Sequence, residues 1–322
     1  MIIAITGSNG FIAQHIKNML INLGYDVISI SRKLNNQKKS NTYTYEELYL
    51  GKIRSHIDCF IHLASPNYDF AKDNSLEVGI SKLTESILSS LNQYRCKKII
   101  YFSSAKVYGE PSIHNNSFDE LTELSPITDY GKEKQKAENI IRTFSRSNDL
   151  DYLIYRLPMV YGKNMNSNIS KLLNIIDKSL PFPYFRDTNY LKKSFLSIDN
   201  IKKIIQYNIE NPESINKDIF NVSDYKPLSI NELVKSYRDL SRSKSIFIAL
   251  PYSFFKILTK TPIFNKILVK LYGSFLIENK KFLSLKNVKI NTTQDDIKSL
   301  LKYSKWVLFL LRLRAFQGFK KY

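Results

Sequence analysis

The sequence predicts an α/β fold, a doubly wound parallel sheet with a smaller, mostly helical C-terminal part. Short apolar runs alternate with longer helix-like segments through the first 160 residues. The strand candidates are apolar throughout rather than alternating, as strands covered on both faces require. A glycine pair, Gly7 and Gly10, separates the first strand from the first helix. With 322 residues, 43% hydrophobic and 24% charged, the chain suits one large domain or two modest ones and is neither disordered nor fibrous in composition.

Ile2–Thr6 starts as a strand directly after Met1. Phe11–Leu23 carries apolar residues at helical spacing until Gly24 stops it. Tyr25–Ile30 is a second strand, and Cys59–Leu63, Ile99–Ser103 and Leu153–Leu157 are further buried strands, separated by helical stretches at Leu76–Leu91 and Lys132–Phe144. After Tyr161-Gly162 the pattern becomes irregular. Pro181-Phe182-Pro183 marks a loop, Ile198–Asn208 a helix and Phe220-Asn221-Val222 a short strand, while Ser229-Ile230-Asn231-Glu232 opens a helix to Leu240 as a capping box.

The net charge is +19, from 48 Lys and Arg against 29 Asp and Glu, and it is concentrated late in the chain. Residues 241–322 carry 17 Lys and Arg against Glu278, Asp295 and Asp296. Such a segment attracts nucleic acid, anionic lipid or an acidic partner; a lysine-rich compositional bias accounts for it equally well. Ile246–Leu258 and Lys305–Phe316 mix apolar and basic residues, and the 305–322 tail reads either as an interfacial helix on anionic lipid or as a terminal helix packed on the body or a second subunit. No run of ~18 uncharged apolar residues is present, so a spanning helix is not expected. Nor does the N-terminus read as a leader, and Cys59 and Cys96 are too few for a disulfide framework; a cytoplasmic protein is the expectation, peripheral at a membrane only under the interfacial-helix reading of the tail. His15, His56, His62 and His114 lack metal-ligand spacing, so no metal is expected, and no motif supports nucleic-acid binding.

Gly7-Ser8-Asn9-Gly10-Phe11-Ile12-Ala13 follows a strand and opens a helix, the context that lets backbone approach a pyrophosphate at a helix N-terminus. Ala13 stands where a third glycine usually allows close helix packing. The second strand ends in Ser31-Arg32-Lys33 rather than an acid. Arg32 can stack on adenine and neutralise a 2′-phosphate, which favours NADP over NAD. Tyr130 and Lys134 lie one helical turn apart, so an ammonium stands beside a phenol and would favour the phenolate as a proton shuttle. Spacing alone does not select this pair, because Tyr68/Lys72, Tyr94/Lys98 and Tyr252/Lys256 share it. Position does: Tyr130 follows a strand ending in Ser103-Ser104, at the edge where α/β sheets bind ligands.

These motifs, with His62-Leu63-Ala64-Ser65, Ser103–Gly109, Arg156-Leu157-Pro158-Met159-Val160-Tyr161-Gly162, Phe195–Asn200 and Phe220-Asn221-Val222, resemble the extended short-chain dehydrogenase/reductases of the NAD-dependent epimerase/dehydratase family over residues 1 to about 305. The resemblance implies a Rossmann-type domain over 1–160 with 195–222 returning to it, a substrate-binding part over 161–304, and nucleotide-sugar chemistry in a homodimer. It carries catalytic roles to Ser104, Tyr130 and Lys134. Dinucleotide contacts go to the glycine loop, Leu63, Ala64, Lys134, Leu157 and Pro158, and sugar-nucleotide contacts to Ser104, Met159 and Lys193. The segment Glu77–Leu83 lacks an Asn that many members carry. Ser104-Ala105-Lys106 replaces the Thr-Asp-Glu of the dehydratases, which disfavours dehydration. Two reactions remain. Resemblance to bacterial enzymes of UDP-N-acetyl-6-deoxyhexosamine synthesis for surface polysaccharide places reduction of a UDP-4-keto-6-deoxy sugar ahead of UDP-sugar 4-epimerisation. A non-catalytic dinucleotide-binding sensor is the third reading.

Overall fold

The computed structural model describes residues 1–33, 40–65, 79–165, 167–285, 289–293 and 295–297. Seven strands form one parallel sheet: β1 (Ile2–Thr6), β2 (Asp26–Ser31), β3 (Thr42–Thr44), β4 (Cys59–His62), β5 (Lys98–Ser104), β6 (Asp151–Leu157) and β7 (Asp218–Asn221). Their spatial order is β7-β6-β5-β4-β1-β2-β3. The chain therefore runs outward from β1 to β3 and returns to the other side of β1 as β4. The strand order reverses between β1 and β4, and the general rule for such sheets puts the ligand crevice beyond the carboxyl ends of those two strands.

Alternation along each strand sends successive side chains to opposite faces. On β1, Ile3 and Ile5 join one buried cluster and Ala4 the other; on β5, Ile100 and Phe102 join the first, Ile99 and Tyr101 the second. The first cluster is closed by α1 (Phe11–Asn22), through Ala13, Ile16 and Leu20, and by α6 (Ile198–Glu210), through Ile201, Ile204 and Ile205. The second is closed by α2 (Tyr45–Tyr49), α3 (Ile80–Leu91) and α4 (Asp129–Asn148), through Leu48, Ile87, Leu88, Ala137 and Ile141. Both faces are covered, which explains why the strands read as unbroken apolar runs.

A separate apolar cluster lies in the later part of the chain, built by α5 (Asn168–Asp177), α7 (Ile230–Ser241), α8 (Tyr252–Thr259) and α9 (Pro262–Tyr272) with the paired strands Phe182–Phe185 and Phe247–Leu250. The Ser229/Glu232 capping box forms as expected, with both reciprocal hydrogen bonds. Two short elements, β3 and α2, had no clear counterpart in the sequence pattern. Leu76–Glu77–Val78, the Tyr68/Lys72 pair and the 305–322 tail lie outside the described residues.

Candidate active site

The glycine loop leaves β1 through Gly7, whose φ of +65° an L side chain resists. A Cβ there would lie 2.9 Å from the Ala64 Cα and 3.0 Å from its nitrogen. Glycine is therefore required both by conformation and by the approach of the loop after β4. The Gly10 N–H donates to the Gly7 carbonyl at 2.7 Å, and Gly10 caps α1 with no side-chain acceptor and no acidic residue in the first turn. The helix N-terminus thus keeps its positive end uncompensated beside a cradle only glycine can shape, which fits a dinucleotide pyrophosphate. Ser8 is buried and donates its N–H to the Ile30 carbonyl; Asn9 and Gly10 are exposed, Phe11 and Ile12 half-buried.

Leu63 and Ala64 are held opposite by a buried relay. The Ala64 N–H donates to Thr6 Oγ1, Thr6 Oγ1 meets His62 Nδ1 at 2.8 Å, His62 Nε2 meets Thr84 Oγ1 at 3.0 Å, and Thr84 donates to the Ile80 carbonyl. Since Thr84 donates onward, it accepts from Nε2–H, which assigns the tautomer. Burial, helped by the Lys134 charge, pushes His62 down to about 3, so it is a neutral structural imidazole. On the β2 side Arg32 is exposed, and Ser31 Oγ donates to the Lys33 carbonyl. The Gly7 backbone hydrogen-bonds the hydroxyl of Tyr45, a phenol that burial pushes up to about 12 and that Arg32 draws down. Sequence reading missed Tyr45, which follows a three-residue strand with no strong pattern.

Ser104 ends β5, and the chain turns at once through Ala105–Val107, with Ser104 Oγ accepting from the Lys106 N–H. Tyr130 sits in the first turn of α4 and hydrogen-bonds both Ser104 and Ser65. What brings α4 this close is Gly131: a Cβ there would lie 2.6 Å from the Lys106 carbonyl oxygen and 3.0 Å from Pro126 Cβ. The sequence motifs contain Ser65 and Gly131 but assign neither a role. Lys134, one turn on, is buried; its Nζ donates to the Phe102 carbonyl at 2.7 Å and lies 5.9 Å from the Tyr130 ring centroid. The expectation that the ammonium lowers the phenol meets a correction. Burial raises Tyr130, the opposing influences being its Ser104 and Ser65 hydrogen bonds, and burial drives Lys134 itself down to about 7 against the pull of Glu138. A lysine near neutrality is a weak fixed charge and a better proton-exchanging group.

Behind these residues Glu138 accepts from Arg156 Nε and Nη2 and from Ser103 Oγ, while Arg156 Nη1 reaches Tyr108 Oη at 2.8 Å and Tyr108 donates to Asn221. This chain of buried polar contacts joins α4, β5, β6 and β7. Of the other Tyr/Lys pairs with described residues, Tyr94 donates to the Leu48 carbonyl and Lys98 to the Ile215 carbonyl, while Tyr252 meets Tyr190; none approaches the crevice.

After β6, Leu157 is buried, Pro158 half-buried and Met159 exposed at 38%, Met159 opening a short strand that pairs with Phe195–Ser197. Lys193 is not the solvated surface lysine its neighbour Lys192 suggests. It is 5% exposed, its Nζ donates to the Lys270 carbonyl at 3.0 Å, and burial followed by Lys106 pushes it down to about 7 while Glu110 pulls it up. Lys106 in turn pairs with Glu110. Among the described residues no group of three His, Cys, Asp or Glu could hold a metal.

The NAD dependent epimerase/dehydratase family matches residues 3–223. A UDP-glucose 4-epimerase of Vibrio cholerae is 27% identical over 249 residues, 72% of this chain and 74% of the relative. An N-acetyl-α-D-glucosaminyl-diphospho-ditrans,octacis-undecaprenol 4-epimerase of Escherichia coli O157:H7 is 24% identical over 263 residues, 78% of this chain and 75% of the relative. In fold, the chain is similar to the UDP-glucuronic acid 4-epimerase of Bacillus cereus solved with NAD, at TM-score 0.73 and 18% identity, over 94% of this chain and 96% of that one.

Proposed function

The chain belongs to the NAD-dependent epimerase/dehydratase family, and from that premise we propose that it is a 4-epimerase of a diphosphate-linked hexose, with NAD as its resident cofactor. The observation that carries the reading is the junction of Tyr130 with Ser104 and Ser65 at the mouth of the crevice, one helical turn from Lys134. A phenol hydrogen-bonded to a serine at the carboxyl edge of the sheet is placed to exchange a proton with a sugar hydroxyl.

Gly7, Ser8, Asn9, Gly10, Phe11 and Ile12 would hold the pyrophosphate and Arg32 the adenosine, with Leu63, Ala64, Leu157 and Pro158 lining the rest of the dinucleotide. NAD, when bound, supplies reversible hydride acceptance at the sugar carbon. Tyr130 takes the proton of the 4-hydroxyl and later returns it, while Ser104 holds the same oxygen. Lys134, anchored on the Phe102 carbonyl, supplies the nearby proton-exchanging amine. Met159 and Lys193 border the sugar diphosphate, whose negative charge would favour the protonated form of Lys193 against its burial.

Two features rank epimerisation above the keto reduction expected from sequence. Several of the relatives are named as 4-epimerases, among them the Vibrio cholerae, Escherichia coli and Methanocaldococcus jannaschii proteins. An epimerase that returns its hydride also needs no exchange of NADP(H), and Arg32 serves adenine as well as a 2′-phosphate. Dehydration lacks its acid and base, since Ala105 and Lys106 occupy the turn after Ser104. The nucleoside is open to a second reading, a lipid diphosphate in its place. The Escherichia coli relative is named for such a sugar, and Lys193 is tied through the Lys270 carbonyl to the last turn of a helix whose opposite end is apolar and exposed.

Purified protein, given UDP-glucose or UDP-N-acetylglucosamine without added dinucleotide, is expected to form the galacto isomer, read by NMR at C4. Consumption of NADPH with a UDP-4-keto-6-deoxy sugar, and no interconversion, would reverse the reading.

A further inference from the structure

Helices α8 and α9 bury little of their apolar surface. Phe255, Leu268 and Tyr272 enter the core, but Phe254 and Ile257 on α8 and Ile263, Phe264 and Ile267 on α9 stay 43% to 75% exposed. Lys260-Thr261 alone joins the two helices, so Ile257, Ile263 and Phe264 gather at the tip of the hairpin. The strand leading into α8 adds Ile248 at 48% exposure, with Ile246 just before it at 68%. A soluble chain rarely leaves this many large apolar side chains uncovered in consecutive elements.

The charge along this stretch of chain is of one sign. Between Asp239 and Glu278 there is no acidic residue, while Arg242, Lys244, Lys256, Lys260, Lys266 and Lys270 lie in that stretch. That pattern selects the occupant. A second copy of the chain would bring six cations against six, whereas an anionic bilayer accepts the apolar tips at the headgroup boundary and leaves the lysines among the phosphates. Among the described residues no helix is long and apolar enough to cross a membrane, so the hairpin would lie on the bilayer.

We propose that the α8–α9 hairpin is a docking surface for an anionic lipid bilayer. It goes beyond the epimerase reading and stands without it. It also has a consequence for the site. The last turn of α9 accepts the Lys193 ammonium through the Lys270 carbonyl, so Lys193 lies about one helix length, ~16 Å, from the docked tip. A diphosphate held in lipid headgroups would meet the crevice from that edge.

The test uses the full-length protein and vesicles of phosphatidylcholine with or without phosphatidylglycerol. Wild type is expected to sediment with the anionic vesicles alone and to be released by salt. The double variant Ile263→Asp/Ile267→Asp, with the 305–322 tail intact, is expected to lose binding by more than about tenfold. Its melting temperature should stay at the wild-type value, because both side chains are already exposed. A second variant, Phe264→Trp in a Trp306→Phe background, should shift its emission to the blue on anionic vesicles. Undiminished vesicle binding by the aspartate variant, or unshifted emission on vesicles that the protein still binds, would overturn the proposal. So would a dimer that the aspartate variant dissolves, in a protein that binds neither vesicle.

Discussion

Arg156 on β6 lays Nε and Nη2 against the carboxylate of Glu138 on α4, with the closest contact at 2.7 Å and both side chains almost wholly buried. Glu138 is also the charge that holds Lys134 up against the effect of burial. The pair therefore fixes α4 to the sheet about two helical turns beyond Tyr130. We predict that Glu138→Ala costs about 3–5 kcal/mol in urea unfolding, because it leaves a buried guanidinium unpaired. The double variant Glu138→Leu/Arg156→Met should regain most of that loss. Equal destabilisation by the single and double variants would show that the pair's charge is not what matters.

At the other end of the crevice, Gly7→Ala adds a methyl 2.9 Å from the Ala64 Cα in a left-handed conformation. Strain of this kind is about 1–3 kcal/mol, and relief requires the loops after β1 and β4 to part. The expected outcome is a lower melting temperature together with at least a tenfold loss of NAD affinity by calorimetry, roughly 1.4 kcal/mol. Gly24→Ala is the control. Gly24 also has positive φ, yet its Cβ would meet nothing within 4 Å, so it should cost stability and leave NAD binding alone.

Tyr130→Phe removes the hydroxyl that joins Ser104 and Ser65. Turnover is expected to fall by about 10²–10⁴, with NAD affinity within a few-fold of wild type. Ser104→Ala leaves the phenol in place and should reduce turnover less. Steady-state assays paired with calorimetry separate the two effects, and a Tyr130→Phe enzyme with near-normal turnover would remove the phenol from the chemistry.

Much of this was legible in the chain itself. Six of the sheet's seven strands follow from apolar runs such as Ile99–Phe102, β3 being the exception, and the glycine loop, Ser104, Tyr130 and Lys134 stand out by motif order. Strand ends moved by a residue or two, as Lys98–Ser104 shows against Ile99–Ser103. The parts that were not legible depend on approach rather than pattern. Gly131 reads as an ordinary helix residue until the Lys106 carbonyl is found where its Cβ would be. Lys193 reads as one of two surface lysines until the Lys270 carbonyl and the Lys106 ammonium enclose it. Tyr45 and Ser65 are common residue types in short connections, and only tertiary contact gives them meaning. Electrostatics escaped the sequence for the same reason: a four-residue spacing predicts a charged lysine beside a phenol, whereas burial decides how much charge that lysine keeps.

That burial makes a pH dependence with a definite sign. Lys134 falls from 10.5 to about 7 on folding, and Lys193 from 10.5 to about 7. Between those values the unfolded chain binds protons that the native protein does not, so each lysine makes unfolding harder as pH rises. Its contribution is complete above the unfolded value and is lost as pH falls through about 7. Buried thiols and phenols act oppositely, since burial pushes Cys96 up to about 12 and raises the Cys59 thiol too, but that effect begins near pH 9. The useful window is therefore pH 7.5 to 8.5. Over that unit of pH, Lys134→Met should reduce the gain in unfolding free energy by about 1 kcal/mol relative to wild type, measured by urea denaturation without added dinucleotide. Parallel pH dependence in variant and wild type would mean that Lys134 stays fully charged in the native protein, and the amine would then return to the role of a fixed charge beside Tyr130.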